Sequence, residues 1–240
     1  MNILYNLIDV SKHQGTMNWA DVKKAGITHA MIRAGYGRYT SQKDPQFDRN
    51  VQQCEATGIA WGAYWYSYAT SVAEVRQEAK IFLSIIAEKI AQGYNPTLPL
   101  AYDIEYEPGI LALSNATRTE MVRAFLSEVE AAGYYGILYA STDFIRNRLN
   151  WRDLAQYDVW CAQYGSRCTC PLPYGIWQYS STNALGIPGF GCSLDCNHAY
   201  KDYPAIIAAM TGTAPEAPAD DGGSDLSAKR QIVTVGPVST

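Results

Sequence analysis

The sequence has little net charge, no long apolar run and few histidines, and each shortage removes a class of function. A formal charge of −4 over 240 residues gives no basic field for a phosphate backbone, so nucleic acid is not an expected partner. No stretch reaches the roughly 20 apolar residues needed to span a bilayer, so membrane insertion is not expected. The amino-terminal Met1-Asn2-Ile3-Leu4-Tyr5-Asn6-Leu7-Ile8-Asp9 lacks a basic segment and meets an acid early, so no export signal of its own is expected. The histidines, His13, His29 and His198, pair with no visible nucleophile, which sets serine and cysteine catalysis aside. A metal-dependent barrel hydrolase would carry a His-x-His strand, and none is present.

Cysteines are present without an obvious framework. Cys54, Cys161, Cys168, Cys170, Cys192 and Cys196 read as free thiols, because a chain with this much core needs no staples. Cys168-x-Cys170 with Cys192, Cys196 and His198 can be written as a zinc set, but the knuckle spacing is missing in both halves. The expectation is therefore no metal and no cofactor.

What the chain does have is core. It is 48% hydrophobic, enough for one large domain. Apolar runs rich in β-branched and aromatic residues alternate with segments of helical period, the pattern of parallel strands joined by covering helices. Strands are expected over 3–8, 29–33, 60–66, 98–104, 135–139, 158–162 and 175–179, with a short one near Ser193. Helices are expected over 19–25, 47–57, 72–91 and 115–132, with Gly26, Gly58, Gly93 and Gly133 as stops. Beyond about residue 155 long helices thin out. The expected fold is α/β, an irregular (β/α) TIM-like barrel with fewer helices in its second half. The barrel is expected to occupy 1–210. From Thr211 the composition turns to Ala, Pro, Gly, Ser and Asp, read as a linker over 211–240 with the start of a second module that this chain does not contain.

In such a barrel the reacting groups lie at the carboxyl ends of the strands, around one shared mouth. Asp9 ends the first expected strand, Asp103 and Glu105 end the fourth, and Asp195 follows the last apolar block. In Asp103-Ile104-Glu105 the two acids share one side of a strand, with Cα atoms about 6.5 Å apart from the strand rise. Mutual repulsion and partial burial raise one pKa until it holds a proton near neutrality. A glycosidic bond needs such a proton donor, with a second carboxyl to meet the positive charge developing at the sugar carbon. Singly, an Asp-x-Glu pair is most often two solvated acids, Asp9 a cap and Asp195 a turn residue. The convergence of all four favours chemistry.

Aromatic residues supply surfaces on which sugar rings stack. Alternation places Tyr64, Tyr66 and Tyr68 on one side of the third strand and Trp61 and Trp65 on the other. Tyr64, Tyr66, Tyr139 and Trp177 are the expected substrate-binding set. Arg33 either orients a carboxylate or makes a structural ion pair.

With these residues in place, the chain resembles glycoside hydrolase family 25, the Chalaropsis-type lysozymes. Asp9-Val10-Ser11-Lys12-His13-Gln14-Gly15 followed by Asn18-Trp19 resembles the opening motif, and Gly62-Ala63-Tyr64-Trp65-Tyr66 the third strand. Ala101-Tyr102-Asp103-Ile104-Glu105 is similar to the Asp-x-Glu strand. Tyr139-Ala140-Ser141, Trp160-Cys161-Ala162-Gln163-Tyr164, Ile176-Trp177-Gln178-Tyr179-Ser180-Ser181, Gly186-Ile187-Pro188-Gly189 and Asp195-Cys196-Asn197 follow in the family's order. The resemblance implies cleavage of the β-1,4 bond between N-acetylmuramic acid and N-acetylglucosamine in peptidoglycan strands. It implies Glu105 as proton donor, Asp103 assisting at the 2-acetamido group, and Asp9 and Asp195 holding the surrounding hydrogen bonds. Attack by the acetamido oxygen, by a carboxylate or by water all remain open. The stretch from Cys161 to Cys196 departs from the family pattern. A missing leader together with a linker resembles bacteriophage endolysins, made in the host cytoplasm and acting on the wall, with a wall-binding module expected beyond this chain; a secreted autolysin is the other source. The rivals are a barrel that binds peptidoglycan or chitin without cutting it, against which the four acids argue, and a chitinase-like barrel, whose longer acidic array is absent before Asp103.

Overall fold

A computed structural model describes residues 2–191 and 193–212. Eight strands close into a barrel in chain order: β1 (Tyr5–Val10), β2 (His29–Tyr36), β3 (Ala60–Tyr66), β4 (Leu100–Asp103), β5 (Gly136–Ser141), β6 (Asp158–Ala162), β7 (Ile176–Ser180) and β8 (Asp195–Ala199). The helices are α1 (Trp19–Lys24), α2 (Phe47–Thr57), α3 (Val72–Ala91), α4 (Pro108–Leu111), α5 (Asn115–Ala131), α6 (Thr142–Arg148) and α7 (Tyr203–Thr211). No helix among the described residues is long and apolar enough to cross a membrane. The linker expected over 211–240 lies outside the described residues from 213 onward.

Local chemistry sets the helix ends. Asn18, Ser71, Ser114 and Ser141 accept hydrogen bonds from first-turn amides of α1, α3, α5 and α6, filling donors that a helix start leaves open. Gly58 ends α2 in the left-handed conformation at φ 65°, which residues with a Cβ rarely adopt.

Alternation along the strands divides the core in two. Outward residues such as Ile8, Ile32, Trp61, Trp65, Tyr102 and Leu138 pack beneath the helices in one large cluster. Here the ring of Tyr102 stacks on Phe125 of α5, with centroids 4.5 Å apart. Inward residues fill the barrel: Leu7, Met31, Ala101, Ile137, Ile176 and Ala199, with Tyr64, Tyr139 and Trp160 in the same cluster.

One strand departs from the expected arrangement. β8 runs antiparallel to both β7 and β1, whereas parallel strands were expected throughout. A parallel strand needs a crossover, usually a helix; the described residues between β7 and β8 form none, so the chain returns as a hairpin would. The thinning of helices past residue 155 is as expected, except that α7 follows β8.

Candidate active site

Asp9, Asp103, Glu105 and Asp195 all line one cavity of about 380 Å³ at the mouth of the barrel. Asp9 and Asp103 belong to β1 and β4, which bring their carboxyl ends to that mouth; Glu105 lies two residues past Asp103 in the same inward phase. Asp195 reaches the mouth by a different route from the one expected. It begins β8 rather than ending a strand, and because β8 is reversed its start meets the others' ends. The ladder pairs Asp195 directly with Asp9, an arrangement of like charges that destabilises ionisation of both.

Polar residues that the sequence reading passed over hold this cluster. Asp9 Oδ2 accepts hydrogen bonds from Gln178 Nε2 at 3.0 Å and Asn197 Nδ2 at 2.8 Å. Gln178 Oε1 in turn accepts from the Tyr139 hydroxyl at 2.9 Å and the Tyr164 hydroxyl at 3.3 Å, and Asn197 Oδ1 accepts from Trp160 Nε1 at 2.8 Å. Asp9 is thus oriented by two amides that are oriented by three aromatic residues. Inward phase was the available signal: Gln178 follows Ile176 by two residues and Asn197 precedes Ala199 by two, and both apolar partners face the barrel interior.

Burial raises every pKa in the group. Desolvation and the neighbouring Asp195 push Asp9 up to about 8, against its two amide hydrogen bonds. Desolvation lifts Asp195 to about 6. Asp103 goes well above the carboxylate range through desolvation, then through Glu105 and Asp9, with Arg33 offsetting only a smaller part. Glu105 is also raised by desolvation, while a hydrogen bond from Asp103 pulls the other way. Each of the two therefore holds a proton more readily than a free carboxyl does. Asp103 Oδ1 is buried without a hydrogen-bond partner, in a residue that lines the cavity.

Of the expected aromatic set, Tyr64, Tyr66 and Tyr139 line the cavity, together with Trp160 and Tyr164. Trp177 does not. Strand phase turns it to the outer side of β7, where Nε1 donates to the Gln163 carbonyl at 2.7 Å and the ring meets Tyr179 and His198 edge-on. Arg33 makes the structural ion pair, Nε to Asp44 Oδ2 at 2.8 Å. It also lines the cavity, and its Nη2 is buried without a partner.

The cavity continues on both sides. Glu105, Tyr139 and Tyr164 also border a space of about 410 Å³ walled by Ser141, Arg146, Gln163 and Thr169. Arg33 and Tyr66 border another of about 390 Å³, with Lys12, His13, Tyr36 and Tyr68. The mouth is an open groove with Glu105 near its middle, a shape suited to the interior of a polymer.

An α/β barrel whose groove carries a close pair of acids with raised pKa between aromatic walls has the features of a glycoside hydrolase. The chain belongs to glycosyl hydrolases family 25, whose sequence profile matches residues 8–187. It is 30% identical to Lysozyme M1 of Streptomyces globisporus over 220 residues, covering 86% of this chain and 71% of that protein. The bacterial lysozyme of Streptomyces coelicolor superposes with a TM-score of 0.71 at 25% identity, over 87% of this chain and 98% of its own. The catalytic domain of the endolysin Ply40, from bacteriophage P40 of Listeria monocytogenes, has the same fold. Its TM-score is 0.70 at 23% identity, over 86% and 98% of the two chains.

Proposed function

We propose that this lysozyme hydrolyses the β-1,4 bond between N-acetylmuramic acid and N-acetylglucosamine in bacterial peptidoglycan, with Glu105 as the proton donor. The observation that carries the reading is the Asp103–Glu105 pair, buried and half-buried, both raised in pKa, on a groove that extends to either side. Glu105 borders both the central cavity and the adjoining space toward Thr169, so the scissile oxygen sits at their junction. In the free enzyme the pair holds one proton, on Asp103, the more buried of the two. An arriving 2-acetamido N–H donates to Asp103, favours its anion and moves the proton to Glu105, where the leaving oxygen takes it. Asp103 then aligns the acetamido oxygen for attack at the sugar carbon, while Asp9 and Asp195 hold the hydrogen bonds around the reacting ring. Tyr64, Tyr66 and Tyr139 contact the sugars. Attack by the acetamido group fits two carboxyls two residues apart at one strand end better than a carboxylate nucleophile facing a carboxylic acid across the sugar. The bacterial cell wall is the site of action, and the likeness to a phage endolysin domain supports a role in lysis from within the host.

The test compares the wild type with Glu105→Gln on purified peptidoglycan, following reducing ends and identifying by mass spectrometry the sugar that bears them. Muramic acid ends are expected, with kcat lower by about 10²–10⁴ in the folded variant. Wall binding without new ends in the wild type would leave only a binding barrel. Proton NMR of the first product is expected to show retention, and the inverted anomer would eliminate acetamido participation.

A further inference from the structure

Cys161 of β6 and Cys168 and Cys170 of the connection after it line neither the central cavity nor the spaces that adjoin it. Cys161 lies between inward-facing Trp160 and Ala162 and packs with the outer cluster, fully buried. Cys168 and Cys170, half-buried in the 163–175 connection, turn back onto it. The Cys161 and Cys168 sulphurs stand 3.6 Å apart, and the Cys170 thiol hydrogen-bonds Cys161 as well. Thr142 Oγ1 sits 2.8 Å from Cys161 Sγ and 3.9 Å from Cys168 Sγ. All three thiols are free. Cys161 is held protonated by its two thiol neighbours and by burial. Hydrogen bonding with Cys161 pulls Cys168 down to about 6 and lowers Cys170 as well, which favours a thiolate nucleophile beside Cys161.

We propose that Cys161 and Cys168 form a thiol–disulfide site which, closed by a small-molecule disulfide, staples the β6–β7 connection to β6 along the wall of the groove. The geometry asks little: the sulphurs approach from 3.6 Å to about 2.05 Å. The Cys168 thiolate attacks one sulphur of oxidised glutathione, forming a mixed disulfide and releasing one glutathione thiolate. Cys161 then loses its proton to solvent and attacks the Cys168 sulphur, and the second glutathione leaves. Two cysteine thiols are oxidised to one disulfide while one glutathione disulfide is reduced to two glutathiones. Cys170 remains a thiol.

The position of the bond gives it a consequence for the groove. Gln163 and Tyr164 lie inside the closed loop and Thr169 directly follows it; all three wall the space that adjoins Glu105. In the reduced protein this wall is tied by Thr169 N and Oγ1 donating to Gln163 Oε1 at 2.8 and 3.2 Å, and by Arg146 Nη2 donating to the Thr169 carbonyl at 2.7 Å. The disulfide adds a covalent tie behind these hydrogen bonds. A protein passing from a reducing to an oxidising medium would thus acquire a firmer groove without a change in the reacting groups.

The experiment equilibrates the full chain with reduced or oxidised glutathione, quenches by alkylation and maps peptides by mass. Oxidation is expected to remove about 2 Da and to link the peptides bearing Cys161 and Cys168, through the exchange just described. The link persists in Cys170→Ser and is absent in Cys161→Ser and Cys168→Ser. The melting midpoint of the oxidised wild type rises by roughly 5 °C and falls back on reduction, as closure of a short loop in a domain of this size implies. Thiols that all remain alkylatable in oxidised glutathione, or a link that maps to another pair, would overturn the proposal. If a variant does not fold, the wild-type peptide map still decides. None of these readouts depends on wall hydrolysis.

Discussion

Asp103 keeps a carboxyl where water does not reach it: the residue is 3% exposed and Oδ1 has no partner. A raised pKa alone does not mark such a group as functional, as Glu78 makes plain. Burial lifts Glu78 to about 7, yet both of its oxygens are engaged, by the Ser67 hydroxyl at 2.6 Å and the Tyr68 amide at 2.9 Å. That carboxyl pins the segment after β3 and lines neither the central cavity nor the spaces that adjoin it. Asp103 differs in its orphaned oxygen, its acidic neighbour and the groove beside it. The difference has a kinetic consequence. Asp103→Asn can still donate a hydrogen bond to Glu105, but it cannot become the anion that receives an acetamido N–H. The expected result is a fall in kcat of about 10²–10³ with KM changed by less than about three-fold, since the lost interaction belongs to the transition state. Steady-state kinetics on a soluble muropeptide oligomer measure both, and a variant retaining a third of wild-type kcat would remove Asp103 from the mechanism.

At the scale of elements, the second half of the barrel is closed by unusually tight contacts. A Cβ on Gly175, just before β7, would stand 1.8 Å from the Tyr203 hydroxyl and 2.9 Å from Asp158 Oδ2. The two groups it would strike are themselves joined, Tyr203 OH to Asp158 Oδ2 at 2.7 Å, and Lys201 Nζ lies 3.0 Å from the same oxygen. Gly175 thus lets α7 dock its first residue across the lower end of the barrel. Gly175→Ala is expected to destabilise by about 2–4 kcal/mol in urea titration, the range for overpacking plus a disturbed buried polar contact. Combined with Tyr203→Phe, which removes the nearest atom, the alanine should cost about half as much. Additive effects of the two substitutions would show that the contact is not the cause.

The same scale shows what was legible beforehand. α2 and α3 lie where patterning put them because each couples an apolar period to a capping serine or a glycine stop, and β3 and β6 do so because each is a short run of apolar and aromatic residues. β1 begins later than expected because Ile3 and Leu4 are apolar but half exposed. α4 and α6 are too short to show a period. β8, Asp-Cys-Asn-His-Ala, has a polar inner face and so does not resemble a strand; its reversal was hidden for the same reason. The four acids were legible because acids at the ends of apolar runs are conspicuous. Gln178 and Asn197 were not, since a buried amide looks like a loop residue until its strand phase is known, and Trp177 was misplaced by the same uncertainty.

For the whole molecule, the active site opposes the stability of the barrel that contains it. Asp9 at about 8, Asp195 at about 6 and Glu78 at about 7 all lie above the range near 4 where unfolded carboxyls titrate. Asp103 and Glu105 are displaced the same way. Between about pH 4 and 8 these five carboxyls bind more protons in the folded chain than in the unfolded one and lower the unfolding free energy as pH rises; they outnumber His29, held down to about 4, His198, Cys168, held down to about 6, and Cys170, which act the other way in parts of that window. Asp48, Glu74 and Asp143 are lowered instead; their contribution is lost only as pH drops through their folded pKa values, below the window. Each displaced carboxyl contributes a slope of at most about 1.4 kcal/mol per pH unit. Asp9→Asn removes one of them while leaving an amide oxygen to accept from Gln178 and Asn197. The variant is expected to match the wild type near pH 4, to exceed it by about 1–3 kcal/mol at pH 8 in urea titrations, and to lose wall-lytic activity. A wild type equally stable at pH 5 and pH 8, or a variant weaker than wild type at pH 8, would mean that the cluster ionises without penalty. In that case the proton assigned to the Asp103–Glu105 pair would lose its physical basis, because both conclusions rest on the same burial of acids at one mouth.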